Sequence, residues 1–174
     1  GSRNKSVQEC KKNVKGGKVA ATDNSFLAPS LYEADKHYLV DKINSEKYLD
    51  QILEICRKED ISCLLSLIDP ELSLLAKNQD KFLAVGSLPL VSDYETIELC
   101  FDKYKMALFL RENGIPTVKT YNSFTSFEES YKNAEVSFPV FIKPVRGSAS
   151  INISKIECIN HLKEVINSSN DELI

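Results

Sequence analysis

Phe138-Pro-Val-Phe-Ile-Lys143-Pro-Val-Arg146-Gly147-Ser148-Ala149-Ser150-Ile-Asn-Ile153 is the stretch on which the reading of this chain turns. An apolar run ends in a lysine and a proline, then breaks into small residues. An ammonium at the end of a buried strand is costly unless an anion meets it. Gly147, Ser148, Ala149 and Ser150 offer backbone N–H groups and serine hydroxyls without bulk, a set suited to phosphate oxygens. The alternating residues Ile151–Ile156 predict a second strand. A P-loop would need G-x-x-x-x-G-K-[ST] before a helix, and the chain has no G-x-G-x-x-G. Local chemistry fits a plain β-hairpin turn with a surface lysine equally well.

Downstream, Ile159, Leu162, Val165 and Ile166 form one apolar face of a helix over 158–168, and Asp171–Ile174 reads as the start of a strand. Upstream, Ser92-Asp93 caps a helix to about Cys100, and a second helix spans Asp102–Asn113 before Gly114 stops it. Lys103 and Lys105 open that second helix, where a cation opposes the dipole by roughly 0.3–1 kcal/mol. Two readings stand for these lysines: a ligand phosphate, or solvated side chains screened by Asp102. Ile115-Pro116-Thr117 forces extension into a strand, Val118–Tyr121. Thr125-Ser-Phe-Glu128 has capping-box spacing for a helix to about Asn133.

The first half alternates helix and strand. Val7, Cys10 and Val14 predict a helix closed by Gly16-Gly17. Lys18–Thr22, His37–Val40 and Cys63–Ile68 read as short buried strands, as do Phe82–Val85 and Leu88–Val91 around Gly86. Residues 46–58 carry Tyr48, Leu49, Ile52, Leu53 and Cys56 on one helical face. Pro70 suits a first helical turn with Asp69 as its cap, so Glu71–Asn78 is a predicted helix, Glu71 also being in capping range. Asp23 either caps its own loop or holds a ligand hydroxyl at a strand end. Short connections between these elements predict βαβ units, an α/β fold and a mostly parallel sheet. The pattern changes near residue 93, which predicts two units, 1–92 and 93–174.

Composition narrows the class of function. Of 174 residues, 43% are apolar and 27% charged, enough for a packed core, and the net charge of −3 argues against a general nucleic-acid binder. No run is long enough for a membrane span, and no secretory signal opens the chain. Cys10, Cys56, Cys63, Cys100 and Cys158 form no C-x-x-C pair, and His37 and His161 add no metal spacing. Buried, reduced thiols in a cytoplasmic protein are expected.

Asp102-Lys103 at a helix start, then Gly114-Ile-Pro-Thr117, then Phe138–Lys143 running into Gly147–Ser150, resembles the ATP-grasp superfamily in order and spacing. Thr22–Lys36, Leu67-Ile-Asp-Pro-Glu-Leu72 and the opening residues to Gln8 are similar to the subgroup of the carbamoyl-phosphate synthase large subunit. The resemblance implies a Rossmann-like pre-ATP-grasp domain over 1–92, without its first strand, followed by the N-terminal part of an α+β ATP-grasp domain over 93–174. It implies an ATP-dependent ligase-type enzyme that activates a small carboxylate as an acylphosphate for attack by an amine. Lys143 would contact the α/β-phosphates, Lys103 would sit on the nucleotide, and Gly147, Ser148, Ala149 and Ser150 would cover the phosphates with Arg146 beside them.

ATP and Mg²⁺ are the implied cofactors, and a homo-oligomer is compatible with the pattern. Ala149 and Asn152 depart from the superfamily, which often has glycine there, although Asn tolerates unusual backbone angles. The adenine hinge and the metal ligands would follow Leu173, and the first sheet strand would precede Gly1. The chain by itself is therefore expected to lack ligase turnover. A non-catalytic nucleotide- or metabolite-binding module is the alternative.

Overall fold

The computed structural model describes residues 2–147 and 150–174, so Ser148 and Ala149 of the expected site lie outside the described residues. The chain divides into two compact units, Gly1–Ser92 and Asp93–Ile174.

In the first unit, α1 (Ser2–Asn13) leads to β1 (Ala20–Asp23), α2 (Pro29–Glu33) and β2 (Lys36–Leu39). Then come α3 (Tyr48–Lys58), β3 (Cys63–Leu64), α4 (Asp69–Lys77), α5 (Gln79–Ala84) and β4 (Leu88–Pro89). β1 pairs with β2 and β3 with β4, both in parallel, the registers running from Ala20 opposite Lys36 and from Cys63 opposite Leu88. The mostly parallel pairing was legible in the sequence. The expected burial of the strands was not, because Leu39, Leu65, Leu67, Leu88 and Leu90 are exposed.

The core of this unit gathers Val40, Tyr48, Ile52, Cys56, Leu75 and Phe82, with Leu49 and Leu53 packed against it. The apolar face read along 46–58 thus meets its core, since residues three and four apart share one side of a helix. Phe82–Val85 corrects the reading, for Phe82 lies in helix α5 rather than in a strand. A run of four apolar residues does not distinguish helix from strand, and burial of Phe82 beside Leu75 decides it. Cys63–Ile68 shortens likewise to the two-residue β3.

The second unit runs α6 (Tyr94–Phe101), α7 (Lys103–Glu112), α8 (Phe124–Lys132), β5 (Val140–Ile142), β6 (Ser154–Ile156) and α9 (Ile159–Ser168). β5 and β6 are antiparallel, with Phe141 opposite Lys155, and Leu173 bridges to Pro144. Ile142 and Ile156 turn inward onto Phe127 and Leu162, while Phe141 between them stays exposed. That alternation is the pleat of a half-buried strand. Phe138 lies edge-on to Phe127 at 5.8 Å between centroids, and Ile159, Val165 and Ile166 complete the core.

Two local expectations shift here. Val118–Tyr121 carries no strand pairing, and α8 begins at Phe124 with Ser123 as its cap, two residues ahead of the Thr125 read from the sequence. Ser123 Oγ accepts from the Ser126 N–H at 3.2 Å, so a serine occupies the cap that threonine was expected to fill. Among the described residues no helix is long and apolar enough to cross a membrane. The five thiols are unpaired, but Cys63, Cys100 and Cys158 are exposed, which corrects the expectation of burial for those three. Cys56 is buried, and that burial pushes its thiol pKa up.

Candidate functional site

The start of α7 and the loop after β5 meet within the second unit. Asp102, buried, ends α6 and caps α7, its Oδ1 accepting from the Lys105 N–H at 3.0 Å. The next backbone N–H, that of Lys103, donates to the Val145 carbonyl at 3.1 Å. The Lys103 side chain then reaches the same loop: its Nζ donates to the carbonyls of Pro144 at 3.0 Å, Val145 at 3.2 Å and Gly147 at 2.8 Å. An ammonium has three donors and no acceptor, so converging carbonyls are a natural partner for it. Lys103 therefore meets the segment the sequence singled out, on its carbonyl side.

Arg146 makes the opposite exchange. Its Nη1 lies 2.8 Å from Glu98 Oε2, its Nη2 lies 3.9 Å from Asp102 Oδ2, and the guanidinium sits 5.5 Å from the centre of the Phe101 ring. The hydrogen bond to Glu98 raises the Arg146 pKa still further, so the group stays charged. Glu98 was not singled out in the sequence reading. Its only signal there is its place four residues before Asp102, which puts two carboxylates on one side of a helix end.

Lys143 differs from both neighbours. It is partly buried, and its side chain has no hydrogen bond or ion pair among the described residues. Its backbone is fixed from both sides, donating to Ile174 at 3.1 Å and accepting from the Ile174 N–H at 2.9 Å. Val145 N–H adds a bond to Glu172 O at 2.8 Å, so residues 172–174 brace the loop's first arm. Beyond it, Gly147 has φ 133°, and Ser150 and Asn152 have φ 58°. Such angles favour glycine and, after it, asparagine. Asn152 Nδ2 donates to Asp171 Oδ2 at 3.1 Å. A recess of about 150 Å³ opens at this base, lined by Pro144, Val145, Arg146, Asp171 and Glu172.

A larger cleft of about 470 Å³ lies along α7 and the following loop, between Tyr104, Arg111, Ile115, Lys119 and Glu135. It includes none of the residues from Lys143 to Ser150, and its Lys119–Glu135 ion pair, 3.3 Å long, is an exposed one. Among the described residues no group of three His, Cys, Asp or Glu forms a metal site. The carboxylates singled out in the first unit have local partners. Asp23 Oδ1 accepts from the Ser25 N–H at 2.9 Å, the capping arrangement. Asp69 and Glu71 do not cap α4, whose first turn has no side-chain cap. Glu71 is instead buried and accepts from the hydroxyls of Tyr48 and Ser66.

Comparison with known sequences and structures places the chain among the ATP-grasp proteins. Residues 1–90 match the family described as PylC-like, N-terminal domain, and the chain belongs to that family. It is 27% identical over 159 residues to the formate-dependent phosphoribosylglycinamide formyltransferase of Prochlorococcus marinus subsp. pastoris, covering 91% of this chain and 38% of that relative. It is 29% identical over 106 residues to the carbamoyl phosphate synthase large chain of Clostridium acetobutylicum, covering 60% of this chain and 10% of the relative. Among solved structures, the biotin carboxylase domain of Hydrogenobacter thermophilus 2-oxoglutarate carboxylase, in complex with MgADP, ADP and bicarbonate, superposes with a TM-score of 0.65. That match has 18% identity and covers 95% of this chain and 38% of the other. The chain thus spans well under half the length of these relatives.

Proposed function

We propose that this chain supplies part of the ATP-phosphate site of an ATP-grasp ligase-type enzyme that activates a small carboxylate for attack by an amine. The observation that carries the reading is Lys143: a partly buried ammonium without a partner among the described residues, while Lys103 and Arg146 beside it are engaged. A partly buried cation of this kind favours an anionic ligand. In this reading Lys143 and the loop Gly147, Ser148, Ala149 and Ser150 hold the phosphates, while Lys103, whose ammonium is taken up by the carbonyls of Pro144, Val145 and Gly147, and Arg146 support the base of that loop. Residues 1–92 are the Rossmann-like pre-ATP-grasp domain, and 93–174 the N-terminal part of the ATP-grasp domain. Relatives of ATP-grasp class and the MgADP of a structural neighbour support it.

Bound ATP would supply the phosphoryl group that turns a carboxylate into an acylphosphate. The chain's own residues position and neutralise: Lys143 offsets phosphate charge, and Lys103 shapes the loop through its carbonyls. Positioning and charge stabilisation are most of what phosphoryl transfer asks of a protein. The described residues do not assemble a Mg²⁺ site. A cytoplasmic enzyme is the setting this reading implies.

Calorimetric titration of the full protein with Mg-ATP tests the reading. Lys143→Ala should weaken binding by roughly 10- to 100-fold, the worth of a charge-assisted hydrogen bond. Unchanged affinity, or no binding by the wild type, overturns it. Binding of Mg-ATP without ATP consumption in the presence of carboxylates and amines would favour the non-catalytic module.

A further inference from the structure

Helix and loop exchange charges at the base of the loop. The helix lends a cation, Lys103, to the loop's carbonyls, and the loop lends a cation, Arg146, to the helix carboxylates of Glu98 and Asp102. Between the last β5–β6 pair, Ile142 with Ser154, and the start of the loop proper, sheet pairing to β6 has stopped. Residues 172–174 hold one side of this arm, and the Lys103–Arg146 exchange holds the other. Arg146 has its guanidinium turned onto Glu98 and the Phe101 ring. A guanidinium that donates to a carboxylate and lies over an aromatic face is held in orientation as well as in charge.

From this we infer that Arg146 and Glu98 act as one positioning pair: Glu98, through Arg146, holds segment 144–147 in the shape that presents Lys143 and the Gly147 backbone to phosphate. Arg146 is then a brace rather than a nucleotide contact. Such a support matters because a site works only when its surrounding shell locks it in place. The inference deepens the proposed phosphate site and rests on it.

The test is a double-mutant cycle in the full protein with Glu98→Gln, Arg146→Gln and both together, Lys143→Ala serving as reference. MgADP affinity is measured by calorimetry, hydrogen exchange of residues 144–147 without nucleotide, and thermal midpoints. Each single variant should speed exchange in 144–147 and weaken MgADP by about fivefold, the scale of one partly exposed ion pair. The double variant should lose no more than either single one, because the pair acts as a unit. A merely structural role would shift the midpoint and leave MgADP affinity alone, which would overturn the inference. So would a loss confined to Arg146→Gln, or losses that multiply in the double variant, since either means that Arg146 touches the nucleotide itself. Failure of the wild type to bind MgADP would overturn the phosphate site along with the brace. Binding that Lys143→Ala weakens but the cycle does not would overturn the brace alone.

Discussion

The Nζ of Lys103 lies 2.8 Å from the carbonyl oxygen of Gly147, so a side chain in the first turn of α7 closes on the loop that follows β5. Carbonyls turned toward this ammonium set the orientation of the peptides that carry them, because each peptide is planar. Lys103→Met keeps the length of the side chain and removes the donors. It should cost about 1 kcal/mol in chemical denaturation and speed exchange of residues 144–147. Protection of that segment equal to the wild type would count against the grip described.

Gly147 tests the backbone of the same loop. An added Cβ would meet nothing within 4 Å, so any penalty for Gly147→Ala comes from φ 133° alone. The expected cost is about 1–3 kcal/mol, met by strain or by a shifted loop. Denaturation midpoint and Mg-ATP affinity should both fall. An unchanged affinity at an unchanged midpoint would show that the loop does not need this angle.

The first unit has its own polar core. Tyr48 and Ser66 donate to Glu71, all three within or beside the packed cluster around Ile52 and Leu75. Tyr48→Phe leaves Glu71 one donor short and should destabilise the unit by about 1–3 kcal/mol in urea. Burial first, and then the bond to Glu71, raise the Tyr48 pKa. A raised value means that the stabilisation is complete below the ordinary tyrosine range of about 10 and is lost as pH climbs through the folded-state value. Tyrosinate absorbance followed against pH should show one tyrosine resisting ionisation, and Tyr48→Phe should remove that component.

At low pH the sensitive cap is Asp93, whose carboxylate accepts from the N–H and hydroxyl of Thr96 at 2.8 and 2.7 Å. The Thr96 backbone N–H, and after it the hydroxyl, hold its pKa below the ordinary carboxylate value. Its contribution is therefore present above the unfolded value of about 3.9 and disappears as pH falls through the folded one. The stability difference between wild type and Asp93→Asn should narrow over that acid range in urea titrations at stepped pH. A difference that stays constant would place the cap's worth in something other than its charge.

Local chemistry made much of this legible. Asp93 caps its helix as its position before an apolar period suggested, Asp102, read as the first residue of the next helix, is instead that helix's cap, and Asn152 occupies the left-handed region its side chain tolerates. The faces of α3 and α9 pack as their spacing implied, because a 3.6-residue period leaves one side for the core. Short apolar runs were harder. Phe82–Val85 and Val118–Tyr121 carry strand-like residues, but α5 has its Phe82 in a core, and the second run has no strand beside it.

The sequence by itself determined the Asp93 cap, the apolar faces of α3 and α9 and the change of character near residue 93, since each depends on neighbours along the chain. Tertiary structure alone decided that Lys103 meets the carbonyls of Pro144, Val145 and Gly147 and that Arg146 meets Glu98. It also decided that Glu71 is buried under Tyr48 rather than capping a helix. Charges of opposite sign are plentiful in this chain, and composition does not say which of them meet. Folding of α6 and α7 against the β5 loop brings together residues 48 positions apart, and only that approach chooses the partner.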